Sequence, residues 1–228
     1  MTAAASTGPL WVTVEGLNGV GKTFLAGRLA AQLDGVGCRL ISELTDLCSD
    51  QIAGQVIAAL ARPGGTFLRT GHPLTETFAL LALKVLEYEQ TGTDQSDVSL
   101  IIEDRGVDTV AVYQAAILIQ DGSPETAEEL IRRVHETAAN WRPAPDLTLL
   151  LVDDFDTCLD RYAARLGTPV SAADRQLLAT VARLYADLAE AEPDRITTVD
   201  RSGRSEHDIL AEMQAHCGTL LDRRVLPS

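Results

Sequence analysis

The chain has 228 residues, 46% of them hydrophobic, enough for one well-packed domain with a sizeable core. Its 33 acidic residues outnumber 19 basic ones, for a net charge of -14. A surface so acidic repels nucleic acid and anionic membranes and excludes both as expected partners, and an anionic small ligand would need a local pocket of donors working against that field.

Residues 1–9, MTAAASTGP, carry neither a basic region nor an apolar run and are expected to form a loose tail. Next comes LWVTV (10–14), a short β-branched run of buried-strand type. KTFLAGRLAAQL (22–33) has apolar residues at helical spacing and stops at DGVG. RLIS (39–42) is a second strand. PLTETFALLALKVLEYEQ (73–90) is a long helix with Glu76 in its first turn. SLIIE (99–103) is a third strand, and the very apolar DTVAVYQAAILIQDG (108–122) a buried helix. SPETAEELIRRVHETAANW (123–141) is expected to start a helix with Ser123 as N-cap and Pro124 in the first turn. LTLLLV (147–152) and ITTV (196–199) complete five strands, and helices are expected over 154–167, 171–191 and 205–221. Strands alternating with helices imply an α/β fold with a mostly parallel five-stranded sheet covered on both faces. No repeat or long linker divides the chain, so residues 1–228 are expected to form one domain. No apolar run approaches the length that spans a bilayer. The four cysteines, Cys38, Cys48, Cys158 and Cys217, are scattered without metal-ligand spacing, as suits isolated reduced thiols in a cytoplasmic protein.

Between the first strand and the first helix lies EGLNGVGKT. Gly16, Gly21, Lys22 and Thr23 match G-x-x-x-x-G-K-[ST], the P-loop pattern, in the strand–loop–helix context its mechanism needs. Glycines let backbone N–H groups close around a phosphate, and the helix N-terminus adds oriented donors and partial positive charge. Asn18, Gly19, Val20 and Phe24 complete the expected nucleotide cradle. Lys22, one of only two lysines, is placed to neutralise the β- and γ-phosphates of ATP, and the Thr23 hydroxyl to ligate Mg2+. After the third strand, Glu103 or Asp104 can hold the metal shell. Asp104 is favoured because it leaves the strand. Arg105 beside it is a candidate phosphate clamp at the carboxyl end of the sheet; the alternative for this Asp-Arg pair is an exposed ion pair.

Taken together, the chain resembles the thymidylate kinase family of P-loop nucleoside monophosphate kinases. EGLNGVGKT, DRGVDTVAVYQ, APDLTLLLVDDFDTCLDRYAAR and TTVDRSGRSEHDI are similar to that family's motifs, in order, and PLTETFALLALK more loosely so. The resemblance implies a three-layer P-loop NTPase fold with a short helical lid, here about residues 156–172. Its arginines Arg161 and Arg165, at i, i+4, would close over the phosphates; otherwise they form a solvated face paired with Asp160 or Asp156. The resemblance also implies that Arg105 holds the acceptor monophosphate near Thr109, that Tyr113 stands against the sugar, that Gln114 faces the base, and that Asp200 and Arg201 lie near adenine. It further implies homodimers through helices beside the acceptor site, 74–91 and 108–120.

The departures bear on the acceptor. Ser42 stands where the family has arginine, while Glu43 keeps the acid. RPGGT occurs at 62–66, some twenty residues later than its family counterpart, as a turn or a displaced loop. Leu80 replaces the ring that stacks on thymine, Leu83 an acid, Lys84 an arginine, and Gly106 an aromatic. Lys84 is then either a phosphate neutraliser without fork geometry or a solvent-facing helix residue. The expectation is a Mg2+-dependent kinase carrying the ATP γ-phosphoryl group to a (deoxy)pyrimidine nucleoside monophosphate other than plain thymidylate, or to a related phosphorylated small molecule. The alternatives are a deoxynucleoside kinase with Glu43 as base, and a non-catalytic ATP-binding protein.

Overall fold

The computed structural model describes residues 8–44, 51–61, 67–91 and 97–225. Five strands, β1 (Leu10–Gly16), β2 (Cys38–Ile41), β3 (Leu100–Asp104), β4 (Leu147–Val152) and β5 (Ile196–Asp200), pair in the order β2-β3-β1-β4-β5, all parallel. The central strands β1, β3 and β4 are buried almost end to end, which is why they read as mostly apolar runs, whereas the edge strands β2 and β5 are partly exposed. Among the described residues eight α-helices accompany the sheet: α1 (Lys22–Gln32), α2 (Gln51–Leu60), α3 (Pro73–Thr91), α4 (Val107–Gln120), α5 (Ala127–Ala139), α6 (Phe155–Leu166), α7 (Ala172–Ala191) and α8 (Glu206–Val225). Among the described residues, none of these helices is long and apolar enough to cross a membrane.

Strand register decides where chemistry can happen. Val14 pairs with Asp104 and Gly16 with Leu151, so β1, β3 and β4 end at one edge of the sheet. The chain leaves β1 toward β2 and β3 on one side and returns to β4 and β5 on the other. A crevice therefore opens above the carboxyl ends, where open α/β sheets bind ligands.

Local chemistry explains the helix starts. Glu76, buried in the first turn of α3, accepts hydrogen bonds from the backbone amides of Thr70, Gly71 and His72 and from the Thr70 hydroxyl. Burial pushes its carboxyl up, but these donors together hold it below the usual carboxylate range. Asp154 and Ser171 cap α6 and α7. The cap of α5 is Thr126, not Ser123: Thr126 and Glu129 form a reciprocal capping box, which outcompetes the earlier Ser-Pro start. Helix α2 was not anticipated, because QIAGQVIAAL carries no charge to mark a polar face. Helix α4 is buried over most of its length against α3, α5 and α7. Helix α3, by contrast, exposes Leu74 and Phe78. The 62–66 stretch, Cys48 and residues 1–7 of the expected tail lie outside the described residues.

Candidate active site

The loop between β1 and α1 has a backbone that only glycine tolerates. Gly16 and Gly19 hold φ of 135° and 82°. A Cβ would lie 2.4 Å from the Leu151 carbonyl oxygen at Gly16 and 2.0 Å from that of Cys158 at Gly19. The loop is thus pressed onto β4 and α6. Lys22 opens α1, and its Nζ donates to the carbonyls of Gly16 and Leu17 at 2.8 and 2.7 Å, curled into its own loop. Burial, reinforced by the nearby Arg105 charge, pushes its pKa well below the usual lysine value. The Arg201 guanidinium closes the loop from β5 by donating to the Val20 carbonyl, beside Gly21. The Asp200 carboxylate instead takes the Ser202 amide. Phe24 is exposed beneath the Arg28 guanidinium.

Asp104 ends β3 beside this loop. It is 1% exposed, with the neighbouring Thr23 hydroxyl beside its carboxylate. Burial raises its pKa, against the opposing pull of Thr23, Arg105 and Lys22. Buried carboxylate oxygens so sparsely partnered call for a ligand. With the Thr23 hydroxyl they form an oxygen-only donor pair suited to a hard cation such as Mg2+, which would complete its shell with phosphate oxygens and water. Among the described residues no group of three or more His, Cys, Asp or Glu could hold a metal alone. Glu103 differs: its carboxylate accepts from Arg142 at 3.1 and 2.8 Å, from Lys84 at 3.3 Å and from the Trp11 indole at 2.6 Å. It is fully committed, so Asp104 is the acid left available.

Arg105 is the only non-glycine residue with positive φ, 67°, among the described residues. Its guanidinium pairs with Glu43 at 2.8 Å and donates to Asn18 Oδ1 at 3.0 Å. The same oxygen accepts the Tyr113 hydroxyl at 2.9 Å, so Asn18 joins the phosphate loop to α4. Burial pushes the Tyr113 phenol up to about 12, keeping it a neutral donor. A cavity of about 830 Å³ runs from Thr23 and Phe24 past Glu43, Arg105, Thr109 and Tyr113 to Leu80, Lys84, Gln114 and Arg165. Gln114 accepts the Thr77 hydroxyl at 3.2 Å, and Thr109 is tied to Glu15 and Tyr185. Two aromatic rings that the sequence did not single out also line the cavity. The Phe67 centroid lies 6.2 Å from that of Tyr113 and 6.3 Å from that of Tyr162. Phe67 follows directly on RPGGT, and that adjacency was its sequence signal.

Lys84 is not solvent-facing. It is 1% exposed at the cavity wall, bonded to Glu87 at 2.8 Å and Glu103 at 3.3 Å, in a buried cluster with Arg142. Burial lowers its pKa, but the two carboxylates outweigh burial and raise it. On α6 the two arginines diverge. Arg161 pairs with Asp153 at 2.6 Å rather than with Asp160 or Asp156, and Arg165 lies 5.3 Å over the Tyr162 ring at the cavity edge. Asp156 is taken by Arg175.

A phosphate-binding loop, a buried acid beside it and a cavity lined with arginines form an arrangement suited to moving a phosphoryl group between two anionic substrates. A sequence profile of thymidylate kinases matches residues 14–209. A probable thymidylate kinase of Halobacterium salinarum is 30% identical over 207 residues, covering 90% of this chain and 93% of the relative. A thymidylate kinase of Syntrophotalea carbinolica is 32% identical over 202 residues, covering 85% and 88%. The fold is similar to the crystal structure of thymidylate kinase from Ehrlichia chaffeensis, with TM-score 0.66 and 17% identity, covering 92% of this chain and 99% of that one. It is likewise similar to thymidylate kinase from Candida albicans, with TM-score 0.67 and 19% identity, covering 95% and 93%. With its profile match running from the end of β1 into α8 and these relatives spanning nearly all of it, the chain belongs to the thymidylate kinase family of nucleoside monophosphate kinases.

Proposed function

We propose that the chain transfers the ATP γ-phosphoryl group to a (deoxy)pyrimidine nucleoside monophosphate, or a closely related phosphorylated acceptor, that differs from plain thymidylate. The observation that carries this reading is the continuity of one cavity from the phosphate loop to an acceptor end where Leu80 stands at the expected stacking position and the Lys84 charge is shared between two carboxylates.

Loop amides from Asn18 to Phe24 and the Lys22 ammonium grip the triphosphate. Thr23 and Asp104 hold Mg2+, which when bound neutralises charge on the phosphates. Arg105 releases Glu43 and takes the acceptor phosphate. Its oxygen is already anionic, so the attack needs no general base. Arg161 and Arg165 belong to a lid over residues 156–172, in a single domain, and shield the group in flight. Arg201 covers the loop on the adenine side. Tyr113, fixed by Asn18, stands at the sugar, with Thr109 and Glu43 beside the phosphate end; Leu80, Gln114 and the Phe67 ring face the base. The exposed Leu74 and Phe78 of α3 support a homodimer. The lack of a membrane-spanning helix among the described residues suits a cytoplasmic enzyme.

The test is a panel of nucleoside monophosphates with ATP and Mg2+, read as acceptor-dependent ADP release. At least one acceptor other than thymidylate is expected to exceed it by about tenfold in kcat/KM, a difference of about 1.4 kcal/mol in transition-state binding. Thymidylate turned over as well as the best acceptor would refute the altered acceptor, and no acceptor-dependent release with any monophosphate would refute the transfer itself.

A further inference from the structure

We propose that Glu15 is a positioning residue for acceptor binding: its carboxylate fastens the strained turn at Arg105 so that the guanidinium faces the cavity. This rests on the reading that Arg105 holds the acceptor phosphate. Glu15 is the penultimate residue of β1, is 0% exposed and does not line the cavity. Its Oε1 accepts the amides of Gly106 at 2.7 Å and Thr109 at 3.3 Å; its Oε2 accepts the Thr109 hydroxyl and, at 3.0 Å, the Tyr185 hydroxyl.

The placement of these bonds carries the argument. A residue other than glycine holds positive φ only where its surroundings impose it. The Arg105 amide donates to the Val14 carbonyl at 3.2 Å, and the next amide, Gly106, donates to Glu15. Both peptide groups flanking Arg105 are therefore anchored on the last residues of β1. Gly106 seats the turn tightly: a Cβ there would lie 2.5 Å from Thr13 Cγ2. Without the Glu15 carboxylate the Gly106 anchor is gone, and Arg105 can relax to an ordinary backbone conformation that carries its guanidinium away from Asn18 and the cavity.

The carboxylate is also sensitive to pH. Asp108 and Thr109 face it from α4, Tyr185 from α7, Glu103 from β3 and Lys22 from α1. Burial first, then the charge of Asp108, lifts Glu15 to about 7, against the pull of the Thr109 and Gly106 hydrogen bonds. A proton taken up at acidic pH occupies one of the acceptor positions and weakens the clamp, so acceptor KM rises as pH falls through that value.

The test is steady-state kinetics with ATP and acceptor varied separately, on Glu15→Ala, Glu15→Gln and Arg105→Lys, with folding checked by thermal unfolding. Glu15→Ala is expected to raise acceptor KM about tenfold and leave ATP KM within about twofold. Glu15→Gln keeps an oxygen for the two amides and a donor for the two hydroxyls. Like the protonated acid, it is expected to keep acceptor KM near the low-pH wild-type value, below that of Glu15→Ala, across pH of about 6 to 8. Equal rises in both KM values, or an unmoved acceptor KM in Glu15→Ala, would overturn the clamp. If Glu15→Ala does not fold, Glu15→Gln decides alone: an acceptor KM equal to wild type at about pH 8 overturns the clamp, and one raised there with ATP KM unmoved upholds it. Arg105→Lys separates the two failures. An acceptor KM that it leaves unmoved removes the reading of Arg105 and the clamp with it, whereas one moved by Arg105→Lys but not by Glu15→Ala removes the clamp alone.

Discussion

Replacing Lys84 with methionine deletes an ammonium that is 1% exposed and lies 2.8 Å from Glu87 and 3.3 Å from Glu103. A balanced cluster of two cations and two carboxylates is left with one cation. That cation, Arg142, is committed to Glu103 through both terminal nitrogens. Glu87, itself 3% exposed, then carries an uncompensated charge. Breaking a buried pair in this way costs about 3–5 kcal/mol. Glu87 can lessen the cost by taking a proton: burial lifts its carboxyl, Lys84 pulls it back and Glu103 lifts it again, to about 7. Without Lys84 it rises further. A carboxyl raised above its unfolded value leaves stability intact below the unfolded pKa and removes it as pH climbs toward the folded one. The variant should therefore lie nearest the wild type at about pH 5 and furthest at about pH 8. For a chain of this size, a loss of about 3 kcal/mol lowers Tm by about 6–12 °C. Thermal unfolding by circular dichroism at both pH values measures it. A Tm within about 2 °C of wild type at the higher pH, or a loss that does not change with pH, would refute the buried-pair account.

Three further outcomes follow from the site. Lys22→Ala removes the ammonium from the phosphate loop and should lower kcat for acceptor-dependent ADP release by about 10²–10³; turnover at the wild-type pace would refute its role. In the intact enzyme, ATP KM should rise as pH climbs through the depressed Lys22 pKa, because only the protonated amine attracts the triphosphate, and an ATP KM that does not rise with pH would contradict this. Asp104→Asn should raise the Mg2+ concentration for half-maximal rate about tenfold or more with little change in Tm, since the amide oxygen can still accept from Thr23 and a buried charge is removed; an unchanged Mg2+ requirement would remove Asp104 from the metal site.

The parts of this molecule legible in sequence are those whose physics is local. The phosphate loop could be read because its backbone demands glycine at Gly16, Gly19 and Gly21. The central strands could be read because burial on both faces leaves mostly apolar runs, broken only by Thr13, Thr148 and the acids near their ends. The charge cluster was hidden because Lys84, Glu87, Glu103 and Arg142 come from three separated segments, and only the Lys84–Glu87 spacing is visible along one helix. The resting partner of Arg161 is hidden for the same reason. Helical spacing offered Asp156 and Asp160, whereas the partner, Asp153, precedes the helix. Phe67 carries no periodic signal of its own, because it follows the glycines of RPGGT rather than lying in a strand or helix.

A chain of net charge -14 binds phosphates only if its cations are kept ready without being neutralised for good. Each is held on an internal acceptor that a phosphate oxygen can replace: Lys22 on two loop carbonyls, Arg201 on a third, Arg161 on Asp153, and Arg105 on Glu43 and Asn18. Binding is then an exchange of partners, and its free energy depends on how firmly the resting partner holds. The Arg105–Glu43 pair tests this most sharply, because both side chains are largely buried, 11% and 21% exposed, and the competitor is a full negative charge. Glu43→Gln keeps the shape and a carbonyl oxygen while removing the charge. Removing one charge from a pair this buried loosens the resting hold by more than the ~1 kcal/mol of an exposed pair, so acceptor KM should fall at least about fivefold. If Glu43 instead touches the acceptor directly or serves as a base, the same substitution raises KM or lowers kcat. Acceptor titrations of the variant at saturating ATP separate the two, and a raised KM would mean that the resting contact is part of the binding site rather than its competitor.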